Sequence, residues 1–299
     1  MMENNNKKFR LQGKVGYHRE FGNVLPNKII YMSVEGDKTE YSYFSNLGNL
    51  LSKSQDAPIL KLEVLGRKDH DSDPEHVLGL LEEYLALQQE GLIPAKLKDE
   101  FSKIGVTDKD IEKYLDDTSS LESEKRALIE EKVAYYELDL RYRKYLCSSG
   151  KHENDRYVVV IDRDYKSHTM EAIQDCMTFI QNSNMNIEMY VSNPSFDLWL
   201  LLHSQAGYEY LFKADPAVIK ENAKISLKHT ELSSHVADFF HHGKHISPEK
   251  FKAEYWPNIR FAIDSSKDYT HGNNYLLNNI GTNIAQFFTD DIKKVLPCP

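Results

Sequence analysis

Apolar residues in this chain follow two periods, and the switches between them predict the architecture. Lys28-Ile29-Ile30-Tyr31-Met32-Ser33-Val34 is a nearly unbroken apolar run, the pattern of a strand buried on both faces. Gly36 interrupts it, and Thr39–Leu51 then sets Tyr43, Phe44, Leu47, Leu50 and Leu51 at helical spacing. Ile59–Leu65 alternates as a second strand. Asp73-Pro74, an acid at the cap and a proline in the first turn, opens a helix through Val77, Leu80, Leu81, Tyr84 and Leu87. Tyr157–Ile161 is the clearest buried strand, followed by a helix at Met170–Asn182 and a strand at Ile187–Val191. Ser192-Asn193-Pro194 reads as a helix start capped by Asn193 or Ser192, leading into the apolar run Phe196–His203. Further helices are expected at about 215–227, 248–267 and 273–294.

Strand–helix alternation in this order predicts an α/β fold, a mostly parallel sheet flanked by helices. Between residues 91 and 150 the pattern changes. Charges are dense there, and Leu121–Leu146 reads as one long amphipathic helix, so this stretch is a charged helical insertion. The expected organisation is a basic N-terminal arm (1–27), the first part of the sheet domain (28–90), the insertion (91–150), and a second part with a helical C-terminal extension (151–299).

Composition leaves this picture intact and removes some function classes. Hydrophobic residues at 40% and charged residues at 28% are ordinary for a globular protein. No apolar stretch reaches the length of a membrane span, and the N-terminus lacks the apolar core of a secretion signal. Cys147, Cys176 and Cys298 are odd in number and far apart, which suits a reducing cytoplasm and gives no thiolate zinc site. The net charge is −9, yet residues 1–34 hold six basic side chains against two acidic. Residues 80–150 hold 11 basic and 16 acidic. The basic arm suits a nucleic-acid backbone, and equally a solvated tail.

Two acidic segments follow predicted strands: Val34-Glu35-Gly36-Asp37-Lys38-Thr39-Glu40 and Ile161-Asp162-Arg163-Asp164. Parallel sheets place ligands at strand C-terminal ends. Asp162 and Asp164 are two residues apart at such an end and can share a divalent cation. Like charges at a buried strand end are unfavourable without a cation or a basic partner, and Arg163 is the local candidate for the latter. Glu35 can ligate the cation or act as a base, and Lys38 can contact a phosphate. Glu40, in the first helical turn, suits the helix dipole. Asp197 either joins the same sheet edge or only stabilises its helix start. His203, in an apolar run, reads as a satisfied core histidine. His235, His241, His242 and His245 lack the acidic or thiolate partners of a zinc site and read as a loop. No G-x-x-x-x-G-K-[ST] is present, so the chain carries no P-loop.

Taken in order, the Glu35 segment and Asp162-x-Asp164 look like a Toprim domain. With Ser192-Asn193-Pro194-Ser195-Phe196-Asp197-Leu198-Trp199-Leu200-Leu201-Leu202-His203, and a late Asn279-Ile280-Gly281-Thr282-Asn283, the chain resembles the RloB-like family over about residues 7–80 and 155–290. That resemblance implies a Toprim-like Rossmannoid fold and a Mg²⁺-dependent nuclease of DNA or RNA, with Mn²⁺ as a substitute. It also implies bacterial antiphage defence beside an AAA/ABC-type ATPase partner. It assigns Glu35 as general base or metal ligand, Asp162 and Asp164 as metal ligands, and Asp197 as a further acid of the site. The family usually has glutamate at the Asp197 position and proline at the Gly281 position. The competing expectation is a non-catalytic subunit that uses the same site to hold a ligand. Homo-oligomers are compatible with both readings, and no membrane association is expected.

Overall fold

The computed structural model describes residues 28–52, 60–65, 74–116, 120–136, 138, 140, 155–164, 168–183 and 187–297. The basic arm, Asp73 and residues 141–150 lie outside them.

The chain divides into two compact units, residues 1–81 with 154–299, and residues 82–153. In the first, strand β1 (Lys28–Val34) leads into helix α1 (Thr39–Leu51), β2 (Leu60–Val64) and α2 (Pro74–Glu90), the last running on into the second unit. Within 82–153 lie α3 (Lys98–Lys103), α4 (Asp108–Asp116) and α5 (Ser123–Tyr135). Back in the first unit come β3 (Arg156–Asp162), α6 (Met170–Asn182) and β4 (Ile187–Asn193). After β4 come α7 (Asp197–Leu201), α8 (Gln205–Lys213), α9 (Pro216–Glu221) and α10 (Glu231–Phe240), with shorter helical segments beyond them.

Strand order is β2-β1-β3-β4-β5, parallel throughout except for β5 (Gly281–Thr282), which pairs antiparallel with Ser192 and Asn193 of β4. The fold is therefore α/β with a mostly parallel sheet. Strand order reverses at β1: β2 pairs on one side and β3 on the other. Such a switch point opens a crevice beyond the strand C-termini, between the ends of β1 and β3.

The long apolar runs are buried as their pattern requires. Ile30, Met32, Val158, Val160 and Tyr190 of the sheet pack with Tyr43, Phe44 and Leu47 of α1 and the whole of Leu198–Leu202. His203 is fully buried, with its Nε2 2.9 Å from Tyr43 Oη and its Nδ1 3.0 Å from the Trp199 carbonyl. The histidine is a core residue, and burial pushes its pKa down to about 3.

Several expected elements differ. Residues Leu121–Leu146 are not one helix: α5 ends at Tyr135 and its chain turns at Tyr136. The unit to which α5 belongs has a core of its own, including Leu92, Ile93, Leu97, Phe101, Val106, Ile111 and Ile129. Burying those side chains around a small core requires short packed helices, which one extended amphipathic helix cannot supply. Ser192-Asn193-Pro194 is not a helix start. Ser192 and Asn193 end β4, the Asn193–Pro194 peptide is cis, and α7 begins at Asp197. Asn193 is buried and donates its side-chain amide to the Leu276 carbonyl, so it is occupied elsewhere than at a cap. The expected helix at 273–294 is broken into Asn273–Leu276, β5, a 3₁₀ turn at Ile284–Phe287 and Asp290–Lys293. The histidines expected in a loop are split: His235 lies within α10, while His241 caps its end in a left-handed conformation.

Candidate active site

Three motifs meet at the switch point. Glu35, one residue past β1, donates its backbone N–H to Val160 of β3. Its carboxylate accepts the Asp162 backbone N–H at 2.8 Å through Oε2 and bonds His168 Nε2 at 2.8 Å through Oε1. His168 is buried. Glu35 therefore ties the ends of β1 and β3 together and holds His168, just ahead of α6 and its Thr169 cap. Sequence reasoning missed His168, because no local spacing marks it as a partner of a residue 133 positions earlier.

Asp162 is the centre of the cluster. It accepts a backbone hydrogen bond from Phe196, while its buried Oδ1 has no hydrogen-bond partner among the described residues. Burial first, then the charges of Glu40, Glu35 and Asp197, push its pKa well above the carboxylate range. Asp197 is likewise raised, to about 6, by burial; Lys244, a hydrogen bond from Ser195 and His229 act against the shift. The Ser195 Oγ lies 3.4 Å from its Oδ2.

A cavity of about 190 Å³ opens over this cluster. Gly36, Asp37, Lys38, Thr39, Glu40, Asp162 and Asp197 contribute from the strand ends and helix starts. His229, Ser233, His242, Gly243 and Lys244 contribute from α10 and its flanking turns. The acids Glu40, Asp162 and Asp197 thus share a cleft with the bases Lys38, His229 and Lys244. Lys38 and Lys244 are exposed, and Thr39 Oγ1 donates to the Lys244 carbonyl, joining the two sides.

Of the residues named from sequence, Asp162, Asp197 and Lys38 line the cleft. Glu35 sits directly behind Asp162, engaged in its two hydrogen bonds. Asp164 does not line the cleft: β3 ends at Asp162, so the alternation that would set Asp164 beside Asp162 does not carry past it, and the Asp164 carbonyl accepts the His168 N–H. Arg163 is buried and donates to the carbonyls of Leu277 and His168 at 3.0 and 2.8 Å, bracing the neighbouring loops.

Glu40, read from sequence only as a helix-dipole acid, is 6% exposed and faces the cleft. A Cβ at Gly36 would lie 1.8 Å from Glu40 Oε2. The glycine therefore leaves space that the Glu40 carboxyl fills. The spacing of Glu35 and Glu40 was the only available signal, and it is also that of any acidic first turn. His229 and Lys244 carry no sequence signal: tertiary packing alone brings them here.

The late motif supports the site without entering it. Asn283 Oδ1 accepts the Val191 N–H at 2.7 Å, and the Ser192 and Thr282 hydroxyls are 2.9 Å apart. Gly281 has φ 154°, and a Cβ there would lie 2.2 Å from the Tyr269 carbonyl oxygen. Proline, fixed near −65°, cannot adopt that conformation. The proline expected here from the resemblance is thus excluded from this backbone.

The cluster suits a hard cation in its donor chemistry: carboxylate oxygens, with one buried lone pair unused. No group of three or more His, Cys, Asp or Glu side chains is already arranged to hold a metal ion among the described residues. A Mg²⁺ ion needs only one or two carboxylates and takes its remaining ligands from water and phosphate, so the arrangement fits it. No helix of the described residues is long and apolar enough to cross a membrane.

Comparison with known proteins gives one match. The sequence model of a family described as RloB-like protein covers residues 30–289, which includes every acid of the cleft. No curated protein and no solved structure matches the chain.

Proposed function

Because the chain belongs to the RloB-like family, we propose that its cleft is the active site of a Toprim-like, Mg²⁺-dependent nuclease. The observation that carries the reading is the buried, unpartnered Oδ1 of Asp162 among three further carboxylates. A strand end that gathers Glu35, Glu40, Asp162 and Asp197, with burial desolvating Asp162 and Asp197, calls for positive charge to offset their repulsion.

Asp162 would hold the cation, with Glu40 or Asp197 completing the protein's share of ligands. The bound cation would supply charge stabilisation at the phosphate and a more acidic water. Lys38, Lys244 and His229 would bind the non-bridging phosphate oxygens and orient the scissile bond. Glu35 would act as a positioning residue, fixing the Asp162 backbone while His168 fixes Glu35. Where Glu40 completes the ligand set, Asp197, whose carboxyl burial raises to about 6, would be the group that takes up a proton. Asp164 has no place in this scheme, which is narrower than the ligand set implied by the family resemblance.

The second reading, a non-catalytic subunit that holds a ligand at the same cleft, is favoured by one observation: among the described residues no three His, Cys, Asp or Glu side chains converge as metal ligands. In both readings an ATPase partner, bacterial defence and nucleic acid as the bound class follow from the resemblance. Purified protein is incubated with labelled duplex DNA, single strands and tRNA, with Mg²⁺ or Mn²⁺. The nuclease reading expects metal-dependent cleavage that Asp162→Asn abolishes. Cleavage that survives in that variant would remove the chemistry from this cleft, and metal-stimulated binding without cleavage would support the second reading.

A further inference from the structure

Between α9 and α10 the chain makes a short turn that no role has yet explained. Lys224 and Thr230 form an antiparallel bridge, and the N–H groups of Ile225 and Ser226 both donate to the His229 carbonyl, at 3.0 and 3.1 Å. Ser226 Oγ accepts the N–H groups of Lys228 and His229, at 3.2 and 3.1 Å, bracing the turn from inside. The base is anchored as well: Asn222 Oδ1 accepts the Leu232 N–H, and the Ala223 carbonyl accepts that of Glu231.

This well-bonded turn carries Leu227 at its tip, 94% exposed, with Ile225 beside it 54% exposed. Lys224 and Lys228 flank them, both exposed, and residues 222–230 contain no acid. His229, two residues beyond the tip, lines the acid cleft. A single exposed leucine is unremarkable, but here it stands on a well-bonded, basic turn next to a cleft lined by Lys38, His229 and Lys244. The cavity of about 190 Å³ beside the turn is of a size for a single phosphodiester.

We propose that the Lys224–Thr230 turn is a strand-separating wedge, with Leu227 inserted at a duplex–single-strand junction and Lys224 and Lys228 on the adjoining phosphates. The substrate class it names is a forked or frayed nucleic acid. Apolar side chains that enter a base step unstack it at a cost of a few kcal/mol, and phosphate contacts to flanking lysines offset that cost. The proposal rests on the nucleolytic reading of the cleft for its cleavage component, but opening of the junction is measurable without it.

The test uses forked duplexes carrying 2-aminopurine at the junction, as DNA and in parallel as RNA, with Ca²⁺ replacing Mg²⁺ during binding. The wild-type protein is expected to raise the fluorescence severalfold on one or both forks. Leu227→Ala is expected to reduce that rise while its melting temperature is unchanged, and Leu227→Phe is expected to retain it. With Mg²⁺, Leu227→Ala should lower kcat/KM on the fork about tenfold more than on a single strand, the effect of roughly 1.4 kcal/mol of lost unstacking energy. Failure to bind either fork, or an equal fluorescence rise in wild type and Leu227→Ala, overturns the wedge. Junction opening without cleavage leaves the wedge standing and removes the nuclease reading. Cleavage without opening does the reverse.

Discussion

Asp197 and Asp162 carry the clearest consequences at the scale of single residues, because their environments oppose their ordinary charge. The Asp197 pKa rises from 3.8 to about 6 in the fold. A carboxyl raised on folding resists ionisation, so it subtracts stability above pH 6 and returns it as pH falls from 6 toward 4. Asp197→Asn should therefore raise stability by about 1–3 kcal/mol at pH 8, with the difference closing by pH 4, read from urea unfolding at both values. Equal stability at pH 8 would show that the cluster is relaxed in solution. A cation that binds the folded protein should oppose the same repulsion. Saturating Mg²⁺ at about a hundred times its Kd should stabilise the wild type by roughly 2.7 kcal/mol. Asp162→Asn should melt at one temperature with and without the ion, and an unchanged Mg²⁺ shift in that variant would place the cation elsewhere.

At the scale of elements, the strand β5 and its approach decide how β4 ends. Gly281 occupies a backbone conformation that side chains rarely adopt, and Tyr269 O leaves no room for a Cβ. The Tyr269 carbonyl also accepts the Thr282 N–H at 2.9 Å, so displacing it disturbs β5 directly. Gly281→Ala should cost about 1–3 kcal/mol or more in denaturant unfolding. Retained stability would mean that Tyr269 moves freely. The strands β1, β3 and β4 and helices α1, α2 and α6 were legible because each has one unambiguous period and its cap or break is local. The C-terminal elements were not. A two-residue strand has no periodicity, and π and 3₁₀ turns at Phe251–Tyr255 and Trp256–Asn258 blur the helical spacing around Pro257.

At the scale of the whole molecule, residues 82–153 form a compact unit with its own apolar cluster, in which Phe101 is fully buried. Phe101→Ala should destabilise that unit by about 3–5 kcal/mol. Hydrogen exchange should then quicken in α3, α4 and α5 and leave β1, β3 and β4 protected. Faster exchange across the sheet would show that the two units unfold as one.

By itself the sequence determined the mostly parallel sheet and put Glu35 and Asp162 at strand ends, since buried strands must be apolar along their length and the first acid marks where each one surfaces; it left open whether Asp197 joins them. Which of those acids share a cleft is a different kind of fact. Tertiary structure alone turned Asp164 away, folded Glu40 over Gly36, set His168 behind Glu35, and brought Lys244 and His229 to face Asp197. The reason is physical: strand ends are specified by local pattern, whereas the direction of a side chain past a strand and the approach of α10 depend on packing between residues up to two hundred positions apart.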